Sequence, residues 1–104
     1  MKQIFILAGL FLAQISAIAG NDISGRVTDD SDGSVLVSAT VAVLDSSGSL
    51  VSGTQTGSEG KFIIKNIEDG SYTVLFQYMG YEDVSVHITN LDRDTDMGDI
   101  RMTL

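Results

Sequence analysis

The single histidine, His87, is the side chain best suited to act as a general base near neutral pH. Nucleophilic catalysis needs such a base within hydrogen-bond reach of a serine, threonine or cysteine, and this chain has no cysteine. His87 lies between Val86 and Ile88 in a segment of alternating apolar and polar residues. This pattern predicts a solvent-facing strand residue, and we expect no catalytic residue and no enzymatic activity.

The first acidic cluster, at residues 29–33, has the sequence DDSDG and resembles part of a calcium-binding EF-hand loop. Such a loop begins with an aspartate and ends with a glutamate at its twelfth position. Thr28 and Ala39 occupy those two positions here. The sequence therefore favours a solvated polar turn over a metal site.

The second acidic cluster places three carboxylates at alternate positions, at Asp92, Asp94 and Asp96. Hard cations such as Ca²⁺ bind carboxylate oxygens in loops, but Arg93 adds an opposing charge within this cluster. We expect a solvated loop with no metal and no cofactor, and the sequence leaves open whether these aspartates bind calcium.

Four aromatic side chains could form a carbohydrate-stacking surface: Tyr72, Phe76, Tyr78 and Tyr81. The first three share one strand face with Val74, and a face with so many large side chains is typical of a core. The pattern therefore predicts that these aromatics pack inside the protein.

Short strands separated by turn signals position all of these residues. Apolar or alternating runs occupy residues 23–28, 39–44, 50–56, 61–65, 71–78, 81–88 and 99–104. Residues 90–98 are expected to form a long acidic loop, and no helical periodicity persists after residue 20. Seven strands at this spacing predict an all-β, seven-stranded antiparallel sandwich.

The N-terminal residues have the form of a signal peptide. Lys2 precedes an apolar run at residues 4–12, and Ala17 and Ala19 flank Ile18 in the small-x-small pattern of a cleavage site. We therefore divide the chain into a signal peptide at 1–19 and one domain at 20–104. The formal net charge of −8 argues against binding to nucleic acid.

The order of the motifs along the chain resembles that of the carboxypeptidase regulatory-like domain. These motifs are ISGRVTD at 23–29, ATV at 39–41, TGSEGKF at 56–62, GSYTV at 70–74 and Gly80-Tyr81. The resemblance implies a transthyretin-like, or prealbumin-like, Greek-key sandwich with a non-catalytic accessory role. The chain departs from the family pattern at Val37-Ser38, where the family frequently has Pro-Gly.

Chains that join a signal peptide to this domain look most like the N-terminal part of TonB-dependent outer-membrane receptors that import nutrients. The resemblance implies a periplasmic or outer-membrane location in a Gram-negative bacterium. It also implies a protein partner, since no plug or barrel is present up to Leu104. We expect either a fragment or a separately encoded domain of such a receptor or a related β-barrel protein. The alternative is a free-standing secreted module that binds protein or glycan.

Overall fold

Seven β-strands form the domain in the computed structural model, which describes residues 20–104. They are β1 (Asn21–Asp29), β2 (Thr40–Leu44), β3 (Leu50–Gln55), β4 (Lys61–Ile67), β5 (Gly70–Gln77), β6 (Val84–Leu91) and β7 (Thr95–Met102). The signal peptide expected at residues 1–19 lies outside the described residues. Among residues 20–104, no helix has the length and apolar character needed to cross a membrane.

The strands form two sheets, with the orders β4-β1-β7 and β3-β2-β5-β6. The chain leaves the four-stranded sheet after β3, contributes β4 to the other sheet, and returns as β5 beside β2, as in a Greek key. The seven-stranded sandwich is thus confirmed. One pair departs from the antiparallel prediction, because β1 and β7 run parallel, with Val27 opposite Ile100.

The core lies between the two sheets and is built from the inward-facing residues of both. Phe76 of β5 is fully buried and meets Phe62 of β4 edge-to-face, with 5.6 Å between ring centroids. Ile23 and Val27 of β1 are also fully buried, as their alternation with polar residues predicts. Burying one such side chain contributes about 1.5–3 kcal/mol, so this layer holds the sheets together.

The prediction of a long acidic loop at residues 90–98 is wrong. β6 continues to Leu91 and β7 begins at Thr95, so only residues 92–94 separate the strands. Thr95 pairs with Ile23, and Asp96 pairs with Ser24. The backbone of this polar segment pairs with β1 while the Asp96 side chain stays exposed, so strand pairing overrides low β-propensity.

The two sheets differ in charge. Strands β2, β3, β5 and β6 contain no Lys, Arg, Asp or Glu. The three-stranded sheet carries charges on all its strands, including an ion pair at 3.0 Å between Arg26 Nε and Asp99 Oδ1. The outer face of the four-stranded sheet therefore carries no lysine, arginine, aspartate or glutamate from these strands.

Ser38 holds a left-handed backbone conformation, with φ of 66°. The resemblance stated from the sequence implies a frequent glycine at this position, and glycine adopts such a φ without a steric penalty. Serine in place of glycine at position 38 thus leaves the fold intact but introduces local strain in the connection before β2.

Ser38→Gly is expected to raise the free energy of unfolding by about 0.5–1 kcal/mol. Left-handed backbone costs an L-residue roughly 1–2 kcal/mol, and the greater freedom of glycine in the unfolded chain offsets part of that gain. Urea unfolding followed by circular dichroism measures the difference. Ser58→Gly is the matched control, because Ser58 is an exposed turn residue without positive φ, and a gain there of equal size would refute the explanation.

Candidate functional site

His87 lies on the exposed outer face of β6, as predicted, directly opposite Thr73 of β5. Its Nδ1 is 2.8 Å from Thr73 Oγ1. A catalytic triad needs a third group that orients the imidazole, and the hydrogen bonds of the described residues give His87 no carboxylate partner. The contact is a cross-strand pair that stabilises the edge of the sheet.

The aspartates of the second acidic cluster are held apart by separate hydrogen bonds. Asp94 Oδ1 accepts the Asp22 backbone N–H at 2.8 Å, and Asp96 Oδ1 accepts that of Gly98 at 2.8 Å. The Asp92 carboxylate pairs with neighbouring Arg93 at 3.1 Å. Across residues 20–104, no three His, Cys, Asp or Glu side chains are grouped so that they could hold a metal ion.

Asp29, from the first acidic cluster, is buried at the end of β1 and organises the turn that follows. Its Oδ1 accepts the Ser31 hydroxyl at 2.6 Å and the Ser31 backbone N–H at 2.7 Å. Its Oδ2 accepts the hydroxyl of Tyr81, which lies 52 residues further along the chain. These bonds join the turn after β1 to the turn between β5 and β6.

The hydrogen bonds from Ser31 and Tyr81 lower the pKa of Asp29 from 3.8 to about 2. The bond to Asp29, followed by burial, raises the pKa of Tyr81 from 10.0 to about 12. Both shifts favour the state in which an ionised Asp29 accepts a proton-bearing Tyr81 hydroxyl. The pair therefore stays joined over a wide pH range.

Acid is expected to destabilise the wild-type protein more than the Asp29→Asn variant. Because the folded pKa of Asp29 is depressed, its contribution is present above its unfolded value near 3.8 and is lost as the pH falls towards 2. Melting temperatures of both proteins, measured from pH 6 down to about pH 2, test this expectation. The difference between them should narrow below about pH 4.

Asp45→Asn is a control for that experiment, because Asp45 also accepts serine-turn hydrogen bonds but has no tyrosine partner. The pKa of Asp45 is lowered by the Ser47 hydroxyl, so its variant should show an acid effect in the same direction. At alkaline pH the Asp29–Tyr81 pair also predicts a loss of stability, as the pH rises from about 10 to about 12. A wild-type minus Asp29→Asn difference that stays constant in both ranges would contradict the assignment.

The aromatic side chains divide between the core and one end of the sandwich. Phe76 is fully buried, and Tyr72 is half-buried with its hydroxyl donating to the Glu68 carbonyl at 2.7 Å. Tyr78 and Tyr81 pack against the core with 5.4 Å between their ring centroids. The prediction that these residues pack inside is confirmed, although the three tyrosines keep part of their surface exposed.

An open groove lies beside Tyr78, where the outer face of the four-stranded sheet meets the end of the sandwich. Its volume is about 720 Å³, and it is lined by Val37, Ser38, Thr40, Gln77, Tyr78, Met79 and Asp83. We call this surface the Met79 groove. It combines apolar walls with one carboxylate, and it holds no cluster of reacting groups.

Buried Thr56 fixes one wall of the Met79 groove. Its hydroxyl donates to the Leu36 carbonyl at 2.5 Å and accepts the Ala39 backbone N–H at 2.9 Å. Its carbonyl accepts the Ser38 N–H at 2.9 Å. These bonds hold the connection between β1 and β2 in place, so the wall around Val37 is preorganised.

Backbone bonds fix the opposite wall. The Tyr81 N–H donates to the Tyr78 carbonyl at 3.0 Å, which closes a turn with Met79 at its tip. The Glu82 N–H donates to the Thr103 carbonyl at 2.8 Å. Sequence reasoning did not identify this groove, and the available signal was an apolar Met79 placed in a turn.

Two sequence comparisons bear on the chain. Residues 22–103 match the model of the carboxypeptidase regulatory-like domain family. A search of curated protein sequences found no match.

Solved structures with a similar fold come from bacterial proteins. A type II Cohesin-X-Dockerin complex from Acetivibrio cellulolyticus contains a chain with a TM-score of 0.67 and 22% identity over 80% of this chain. The major pilin subunit BcpA of Bacillus cereus has a TM-score of 0.66 and 13% identity over 82%. The pilus 2b backbone protein of group B streptococcus has a TM-score of 0.61 and 14% identity over 81%.

The present chain spans only part of each of these proteins. The match covers 57% of the chain from the Cohesin-X-Dockerin complex, 41% of the streptococcal pilus protein and 30% of BcpA. At these identities the likeness establishes a shared β-sandwich fold.

Proposed function

This chain belongs to the carboxypeptidase regulatory-like domain family, and we propose that it is a non-catalytic exported accessory domain. The setting we propose is the periplasmic N-terminal part of a TonB-dependent outer-membrane receptor, or of a related β-barrel protein that takes up nutrients. Its membrane association would then come from a partner or from a following domain.

The observation that carries this proposal is the order of two segments. A match to the family over residues 22–103 follows a leader with the form of a signal peptide. The described residues also favour a binding role, because their exposed groove presents apolar side chains. Their histidine pairs only with Thr73, which is not an arrangement for catalysis.

Export is tested by expressing the chain with a C-terminal tag in a Gram-negative host. We expect a mature protein that begins at Gly20 and is recovered from the periplasm or the outer membrane. Ala19→Arg is the control, because signal peptidase requires a small residue there. Recovery of unprocessed wild-type protein in the cytoplasm would exclude an exported accessory role.

The receptor setting is tested separately by the coding sequence that follows Leu104 and by deletion of residues 22–103 in the native host. We expect a plug-like segment and amphipathic strands, or a neighbouring receptor gene, and impaired nutrient uptake after deletion. Unchanged uptake together with the absence of any receptor gene nearby would exclude this setting.

The second candidate is a free-standing secreted module that binds protein or glycan. The observation in its favour is that similar folds occur in pilus proteins and in a Cohesin-X-Dockerin complex, which are parts of protein assemblies. A stop codon after Leu104, a stable secreted product and binding on a glycan or protein array would favour this candidate over the receptor domain.

A further inference from the structure

We propose that the Met79 groove is a docking site for a partner segment that carries apolar side chains next to a lysine or arginine. The inference rests on the proposed function as a partner-binding accessory domain and specifies which surface binds and what chemistry it recognises.

The groove exposes apolar side chains that the fold itself does not use. Met79 is 94% exposed at the tip of its turn, and Val37 is 43% exposed on the opposite wall. Two hydrogen-bonded segments hold these walls, so the apolar surface is present before a partner arrives. Exposed apolar patches with a polar rim typically mark interaction sites, and methionine adapts its shape to varied partners.

The charged group of the groove is acidic. Asp83 lines the groove and accepts the Gln77 side-chain amide at 3.2 Å, and Glu82 is the preceding residue in the chain. No lysine or arginine of residues 20–104 forms an ion pair with either carboxylate. A basic residue on the partner would supply the missing charge and steer its approach, which is how charge complementarity selects partners.

A partner that covers the groove would remove few charged groups of the domain from water. The adjoining strands β2 and β5 contain no charged side chain, and Thr40 lies opposite Gln77 across their pairing. Removing neutral groups from water costs far less than burying fixed charges. The charged groups stay at the rim, where water still reaches them.

The same charges disfavour other occupants. A symmetric dimer through the groove would use the same patch twice, and that patch has no lysine or arginine to pair with the Asp83 carboxylate of the other copy. An anionic membrane surface would be repelled by the negative charge of Asp83. A basic and apolar protein segment is the occupant that fits both features.

The test uses the chain as recovered from the expressing cells and a phage-displayed library of random linear peptides. Selected peptides are expected to combine apolar residues with lysine or arginine. Synthetic copies should bind about tenfold or more weakly to Met79→Asp and to Asp83→Lys, which corresponds to about 1.4 kcal/mol or more. Ile63→Asp is the matched control, because Ile63 is 50% exposed on the other sheet.

Each variant is checked for an unchanged melting temperature, which is expected because Met79 and Asp83 are both exposed. The proposal is overturned if no peptide is enriched, if enriched peptides are acidic, or if Met79→Asp binds as well as Ile63→Asp. Sedimentation showing a dimer that Met79→Asp dissociates would assign the groove to a second copy instead. Export and nutrient uptake are separate measurements, so a failure here is distinguishable from a failure of the proposed function.

Discussion

Phe76→Ala is expected to lower the free energy of unfolding by about 3–5 kcal/mol, the range for truncating a buried aromatic side chain. Phe76 is fully buried between the sheets, and its ring contacts Phe62 edge-to-face at 5.6 Å. The loss combines the transfer of the ring to water with the cavity left beside Phe62. Domains of this size have total stabilities of about 0.05–0.15 kcal/mol per residue, so the loss is a large share of the whole.

Urea unfolding followed by circular dichroism measures this loss, since the chain has no tryptophan to report by fluorescence. Ile63→Ala on the outer face of β4 is the control, with an expected loss below about 1 kcal/mol because half of that side chain is already in water. If Phe76→Ala does not fold, Phe76→Leu should lose about 1–1.5 kcal/mol by keeping most of the volume. Equal losses for the Phe76 and Ile63 variants would show that Phe76 is not central to the core.

The strands and the core followed from the sequence because local alternation determines which side chains face inward. Ile23 and Val27 alternate with polar residues, and both are fully buried. The run at 50–56 was predicted to be a strand, and β3 occupies Leu50–Gln55. Each of these features depends on residues within a few positions of one another.

Features that depend on distant residues could not be derived in this way. The parallel pairing of β1 with β7 joins residues about 70 positions apart, and it converts part of the predicted acidic loop into strand. The bond between Tyr81 and Asp29 crosses 52 positions, and the pairing of Thr73 with His87 depends on the register of β5 and β6. The Met79 groove needs both of its walls, and neither wall carries a motif of its own.

Ser38 connects the stability of the domain with its candidate binding surface. It lines the Met79 groove while holding a strained left-handed backbone that Thr56 fixes through a hydrogen bond at 2.9 Å. Residues with a strained backbone conformation cluster at functional sites, including sites that bind ligands. Ser38→Gly therefore separates the two roles, because it should stabilise the fold while removing a hydroxyl from the groove.

Gly60→Ala is expected to lower the free energy of unfolding by about 1.5–4 kcal/mol. Part of this loss, roughly 0.5–1 kcal/mol, comes from placing an L-residue at a φ of +73°, after the lower freedom of alanine in the unfolded chain is counted. The remainder, about 1–3 kcal/mol, comes from overpacking. A β-carbon at this position would lie 2.9 Å from the Val27 carbonyl oxygen and 2.9 Å from Val35 Cβ.

The backbone at Gly60 cannot move away from these contacts without breaking hydrogen bonds. The Gly60 carbonyl accepts the Val27 N–H at 2.8 Å, and the Gly60 N–H donates to the Gly57 carbonyl at 2.9 Å. Gly48→Ala is the matched control, since Gly48 has a similar φ of +86° with no atom within 4 Å of an added β-carbon. It should lose only the conformational part, about 0.5–1 kcal/mol after the lower freedom of alanine in the unfolded chain is counted. Urea unfolding of both variants isolates the steric part by subtraction, and equal losses would mean that the packing of Gly60 against β1 contributes nothing to the stability of the sandwich.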